Sequence, residues 1–281
     1  MATPTPAAAA PAQFRRTLTF WDLVLYGIVL IMPIAPVPLF GLAQKLSHGH
    51  AVTTILIAMV AMMLTALSYG RMASVYPSAG SAYTYVGRSL NPHLGFLAGW
   101  AMLLDYALVP LICTVYGALT LQRLAPQIPY IVLCALFAGV ITVINLRGIR
   151  ATLTANLFMM IAMTGVILAF MVLAFRWLLA GQGWAGALSA RPFYDPAQFD
   201  WGAIGAGTSL AALTYGGFDG ITTLSEDVKN PRRTVPLATV FVCLFTGVFG
   251  GLQVYLAQQV WPDYSRFSNL ETAFMDVTRV V

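Results

Sequence analysis

Residues Phe20 to Leu42 form an apolar stretch long enough to cross a bilayer, yet three prolines, Pro33, Pro36 and Pro38, crowd its middle. Proline lacks a backbone donor and its ring clashes with the preceding turn, so a regular helix cannot run through Ile31 to Gly41. A second interrupted stretch lies far downstream. Trp201 to Leu224 is broken at Tyr215-Gly216-Gly217-Phe218-Asp219. Two interrupted apolar segments at corresponding places in two halves of a chain point to a binding site at the midplane of a membrane.

The composition agrees. The 281 residues are 59% hydrophobic and 9% charged, against about 25% charged in soluble domains. The chain reads as an all-α polytopic membrane protein, because lipid offers no partner to open backbone groups. Seven spans of suitable length emerge: Phe20–Leu42, Val52–Tyr69, Leu94–Leu121, Ile128–Leu146, Leu153–Phe175, Trp201–Leu224 and Val235–Val260. Residues 1–19 are rich in Ala, Pro and Thr and read as a disordered tail.

The net charge of +5 could suggest nucleic acid, but the basic residues sit between apolar spans, where topology accounts for them. One side carries Arg15, Arg16, Arg71, Arg88, Arg147, Arg150, Lys229, Arg232 and Arg233; the other carries Lys45, Arg123, Arg176, Arg191, Arg266 and Arg279. The positive-inside rule places the first group, and the N-terminus, in the cytoplasm. Cys113, Cys134 and Cys243 lie in three different spans and read as small core hydrophobes. His48-Gly49-His50 reads as a hydrated loop pair, with no third ligand for a metal.

At the first break, Ile31, Met32, Pro33, Ile34, Ala35 and Pro36 expose backbone groups that persist in a membrane only where they line a cavity or are buried in protein. At the second, Gly216 and Gly217 let the backbone approach another group closely, flanked by Tyr215 and Phe218. An aromatic face there suits a cation. Asp219 follows directly. A carboxylate within a span is costly and marks a functional site by default, either as counter-ion to a cationic ligand or as a proton-titrating group. Asp105, followed by Tyr106 in the third span, is a second such carboxylate, open equally to a buried structural pairing. Glu226-Asp227 and Arg232-Arg233 read as exposed interfacial charges. No nucleophile-plus-base set, phosphate loop or zinc motif is visible, so the expectation is a non-enzyme without cofactor.

Three runs carry a family resemblance. They are Pro77-Ser78-Ala79-Gly80-Ser81-Ala82-Tyr83-Thr84-Tyr85, then Asn91-Pro92-His93-Leu94-Gly95-Phe96 with Leu103-Leu104-Asp105-Tyr106, and Gly217-Phe218-Asp219-Gly220-Ile221-Thr222-Thr223-Leu224-Ser225-Glu226 continued by Asn230-Pro231. From Phe20 onward the chain resembles the amino acid–polyamine–organocation (APC) permeases, and within them putrescine-importer-like members. The resemblance implies a LeuT-like (APC) fold of two inverted five-helix repeats, with substrate held between broken spans 1 and 6. It also implies secondary active import by alternating access across the inner membrane, usually proton-coupled, of a small cationic amine or an amino acid. An acidic residue on the sixth span is expected to face the substrate amine, and Asp219 fits that place. Asp105, Tyr106 and Asn156 are candidates for coupling or for supporting the site.

The chain departs from that pattern in places. Pro38 stands where similar putrescine importers carry an acid. The fifth span has Asn156 but no lysine, which leaves the coupling ion open. The expected organisation is a first repeat over 20–180, an external loop over 181–200, the start of an inverted second repeat over 201–260 and an external segment over 261–281. That ending reads as a truncated fold with seven transmembrane helices. Three readings stand: an amine importer, an amino acid permease, and a non-transporting membrane sensor, accessory protein or inactive fragment.

Overall fold

Eleven helices build the protein in a computed structural model that describes residues 17–281, excepting the side chains at 149–151 and 153. Residues 1–16 of the expected tail, including Arg15 and Arg16, lie outside the described residues. Thr17 and Leu18 are held in place, their amides donating to the Asp227 carbonyl at 2.9 and 3.0 Å. Among the described residues there is no strand, only an isolated parallel bridge between Leu18 and Val228.

The helices are α1 (Phe20–Ile31), α2 (Phe40–Leu46), α3 (Ala51–Val75), α4 (Ser81–Ser89), α5 (Pro92–Leu124), α6 (Tyr130–Leu146), α7 (Ile149–Ala187), α8 (Trp201–Ala211), α9 (Asp219–Thr223), α10 (Pro231–Val260) and α11 (Ala273–Thr278). Helix starts follow the local chemistry. Asn91 Oδ1 accepts from the His93 amide at 2.8 Å, with Pro92 at the first helical position of α5. Asp200 caps α8 through the Ala203 amide at 2.7 Å.

Helices α3, α5, α10 and the α7 segment Thr154–Ala187 are each long and apolar enough to cross a bilayer alone. The first span is a composite of α1 and α2, and the sixth of α8, a 3-10 turn over Ala212–Tyr215, and α9. Both expected interruptions are therefore present. The sixth span tightens earlier than the glycines alone dictate, because α8 already ends at Ala211. The fifth span overshoots the expected Phe175, running to Ala187 with a break at Gly183 (φ 64°). Helix α4, and α11 near the end, are short helices between and beyond the spans; hydropathy did not single out α4.

The core sits where α1, α3, α8, α9 and α10 meet. Close approach sets their packing. A Cβ on Gly27 of α1 would lie 2.5 Å from Ile221 Cδ1, and one on Gly70 of α3 would lie 2.4 Å from Pro236 Cα of α10. Small residues at such crossings allow the contact that drives helix association in lipid. By contrast α5, α6 and much of α7 present Phe96, Leu103, Leu111, Ile112, Ile131 and Phe158 outward, the apolar surface a bilayer requires. That outward face corrects one expectation. Cys243 is buried in the core, but Cys113 is exposed on α5 and Cys134 half-buried on α6.

His50 corrects another. It is fully buried rather than hydrated, its Nε2 accepting from the Asp195 amide at 3.0 Å. An amide can only donate, so Nδ1 carries the proton, which it directs to the Ser47 carbonyl at 3.0 Å. On the same side, Arg123 at the end of α5 pairs with Asp276 at 3.2 Å and reaches the Thr272 carbonyl, tying the 261–281 segment to the third span.

Candidate functional site

Loss of donors defines the first break. Helix α1 stops at Ile31, and Met32 takes a positive φ of 67° while its amide still reaches the Ile28 carbonyl at 3.0 Å. Proline at 33, 36 and 38 then permits only isolated turns until Phe40. One freed carbonyl is satisfied from within the protein: Gln253 Nε2 of α10 donates to the Pro33 oxygen at 2.8 Å in a buried site. The other atom of that amide, Gln253 Oε1, is buried without a partner among the described residues. Pro36 packs on Gly250 of α10, where an added Cβ would lie 2.8 Å from the ring. A cavity of about 10 Å³ beside Ile28, Met32, Pro33 and Phe249 has room for about one water.

The second break has the opposite character. Gly216 has an ordinary φ of −55°, but Gly217 lies at φ 107°, a conformation that side-chain-bearing residues rarely adopt. The turn swings the chain against the first break: a Cβ on Gly217 would lie 3.2 Å from the Leu30 carbonyl carbon and oxygen. Among the described residues the amides of Gly217, Phe218 and Asp219 make no backbone hydrogen bond, whereas those of Gly220 and Ile221 fold back onto Gly217 and Phe218. Three donors and the start of α9 therefore collect at the contact between the breaks.

Asp219 stands in this turn, half-buried. Its Oδ2 accepts from the Tyr106 hydroxyl of α5 at 2.9 Å, while its Oδ1 accepts no hydrogen bond among the described residues. Tyr26 of α1 and Tyr69 of α3 lie within electrostatic range of the same carboxylate. The Tyr69 ring packs edge-on to Phe218, with centroids 5.4 Å apart. Four structural elements thus place tyrosines and one carboxylate around a partly open point: an acid with one oxygen hydrogen-bonded and the other without a partner among the described residues. Such a setting attracts an organic cation through the carboxylate.

The other candidates fall elsewhere. Tyr215 is fully buried, and its hydroxyl donates to the Ile55 carbonyl of α3 at 2.8 Å, so it pins the break to the core and does not reach the carboxylate. Asp105 and Asn156 are exposed on α5 and α7, with no hydrogen bond or ion pair among the described residues. Tyr26, Tyr69 and Gln253 were not singled out from sequence. The available signal was the polar tip of each side chain inside an apolar span, where it must find a partner.

Toward the side on which α1 begins, Leu18 bridges Val228 and so ties the first span to the sixth. The segment that opens α4 is tied to the sixth span as well: Glu226 Oε1 accepts from the Ala79 amide at 3.0 Å, and Ser81 bonds Thr222 at 3.0 Å in a buried contact.

These features define a polytopic helical membrane protein with two broken spans meeting at a carboxylate. The family model for amino acid permeases matches residues 20–274. The chain belongs to that family, within the APC superfamily. It is similar to the low-affinity putrescine importer PlaP of Escherichia coli (strain K12), 32% identical over 257 residues that cover 92% of this chain and 57% of the relative. The vacuolar cationic amino acid transporter 4 of Arabidopsis thaliana is 29% identical, over 91% of this chain and 45% of the relative. The branched-chain amino acid permease BcaP of Lactococcus lactis subsp. cremoris (strain MG1363) is 26% identical, over 88% and 58%. The chain thus spans about half the length of the curated relatives it matches.

Proposed function

We propose that this protein serves in the secondary active import of putrescine or a related small amine across an inner membrane, by alternating access. One observation carries the reading. The carboxylate at the meeting point of the breaks, Asp219, has one oxygen held by Tyr106 and the other free, with Tyr26 and Tyr69 beside it. A substrate ammonium takes the free oxygen, and the ring faces accept its flanking methylenes. The putrescine importer among the relatives supports the same choice. Proton coupling fits a carboxylate flanked by hydroxyls that can relay a proton to it. The N-terminus is assigned to the cytoplasm by the positive-inside rule.

A second reading, an amino acid permease, is favoured by a different observation. The unpaired amides of Gly217, Phe218 and Asp219 suit a carboxylate ligand, and other relatives are named for amino acids. Proteoliposomes carrying the protein, given labelled putrescine and a panel of amino acids under an inward proton gradient, separate the two. Gradient-dependent putrescine uptake supports the first reading. Saturable amino acid uptake indifferent to putrescine replaces it with the second. Uptake of neither, by folded protein, assigns the chain a non-transporting role.

A further inference from the structure

We infer that the cleft at the start of α10, together with the exposed apolar stripe that continues from it along the helix, is a binding site for an anionic phospholipid, with the headgroup phosphate among Lys229, Arg232 and Arg233 and one acyl chain along the helix. This site is separate from the carboxylate at the breaks.

The headgroup end is a cleft of about 660 Å³, whose lining includes Ser74, Pro77, Lys229, Asn230, Arg232 and Arg233. All three cations are exposed, and none forms an ion pair among the described residues. Asp227, half-buried two residues before Lys229, leaves one carboxylate against three cations, and two further acids are engaged elsewhere. Glu226 is turned to the Ala79 amide, and Asp22, within electrostatic range of Lys229, accepts from the Thr19 amide and hydroxyl at 2.8 and 2.6 Å. The cleft also sits at the first turn of a 30-residue helix, whose dipole adds positive potential.

The acyl end starts one turn further along. Arg233, Leu237, Phe241, Leu244 and Val248 follow one another at helical spacing, and the four apolar members are exposed. Leu237 to Val248 spans roughly 16 Å at about 1.5 Å per residue, about half of a hydrocarbon core of about 30 Å. At its basic end Trp21 of α1, 62% exposed, packs edge-on to Phe241 with centroids 6.1 Å apart. Tryptophan at that depth marks the interface between headgroups and tails. A cationic cleft, an interfacial tryptophan and a one-leaflet apolar stripe, in that order, match the profile of a phospholipid. Charge decides that it is an anionic one. The N-terminal residues 1–16 are a poor occupant, since they carry Arg15 and Arg16 and no acid.

Native mass spectrometry of the whole chain, released from detergent containing equal phosphatidylglycerol and phosphatidylcholine, tests the assignment. The protein should retain phosphatidylglycerol preferentially. The triple variant Lys229→Gln/Arg232→Gln/Arg233→Gln should retain it roughly 100-fold less, at about 1 kcal/mol per basic side chain near a headgroup. Leu237→Asn, a change at an exposed position, should lower retention of both lipids, and its folding is checked by an unchanged melting temperature. Equal retention of the two lipids, or unchanged retention by the triple variant, overturns the proposal. Displacement of phosphatidylglycerol by equimolar inorganic phosphate would make the cleft a free-anion site. A dimer lost on Leu237→Asn would assign the stripe to a second copy of the chain.

Discussion

The two breaks interrupt equivalent spans by opposite means. At the first, prolines remove donors, and the surplus is in carbonyls; the protein answers with Gln253 from α10 and closes the region to a cavity the size of one water. At the second, glycines free the chain to turn, and the surplus is in amides, left unpaired beside a carboxylate whose second oxygen is also free. The proline break has a freed carbonyl satisfied from within the protein, whereas the glycine break keeps its freed amides unpaired among the described residues. An interrupted helix does not by itself mark where a ligand sits; what matters is whether the protein satisfies the groups that the interruption frees.

Substitutions can sharpen that contrast. Gly217→Ala should have the largest structural effect, destabilising by roughly 1–3 kcal/mol as strain at a forbidden backbone angle. Its added carbon would also press on the Leu30 carbonyl at 3.2 Å. Thermal unfolding in detergent reads this. Gln253→Leu should cost about 1–2 kcal/mol by orphaning the Pro33 carbonyl. The loss stays moderate because the substitution also removes the unpartnered Gln253 Oε1. Tyr215→Phe should cost about 1 kcal/mol for the lost hydrogen bond to Ile55, with substrate selectivity unchanged in an uptake panel. Gly216→Ala should be the mildest, no more than about 1 kcal/mol, since its φ of −55° suits alanine, with the added carbon 3.3 Å from the Leu213 carbonyl oxygen as its only tight contact. Equal losses at Gly216 and Gly217 would show that the second break is not held by the left-handed turn.

Much of this was legible in the chain. Three prolines fixed the first break to within a residue, because a missing donor is a local fact that no packing can restore. Adjacent glycines located the second, and Asp219 was marked by its cost inside a span. Partnerships across the fold were not legible. Tyr106 was visible only as the neighbour of Asp105, yet it is Tyr106 that reaches the carboxylate, while Asp105 points outward. On a helix, successive residues lie about 100° apart, and composition does not say which one faces inward when the whole span is apolar. Tyr215 misled for a related reason: beside a glycine break it suggested an aromatic face for a cation, but it is fully buried and its hydroxyl is spent on α3. His50 looked like a loop residue because the sequence does not reveal that the 195 region folds over it.

Outside the membrane, Asp263 offers a minor check. The Ser265 hydroxyl and amide, then Arg266, hold its carboxyl below the usual range. A depressed folded-state value adds stability above the ordinary carboxylate pKa of about 3.9 that is lost as pH falls through the folded value. No change in melting temperature traceable to Asp263→Asn is therefore expected to vary between pH 6 and 8.

The central claim is that Asp219, at the glycine break, holds the substrate amine. Uptake of labelled putrescine into proteoliposomes, comparing the native protein with Asp219→Asn and Tyr106→Phe, tests it most directly. Asp219→Asn should lower uptake by roughly 30-fold or more, the equivalent of about 2 kcal/mol for removing one partner of a charge pair. Tyr106→Phe, which frees the carboxylate without discharging it, should change uptake only a few-fold. Folded Asp219→Asn protein that transports putrescine at the native rate would contradict the account.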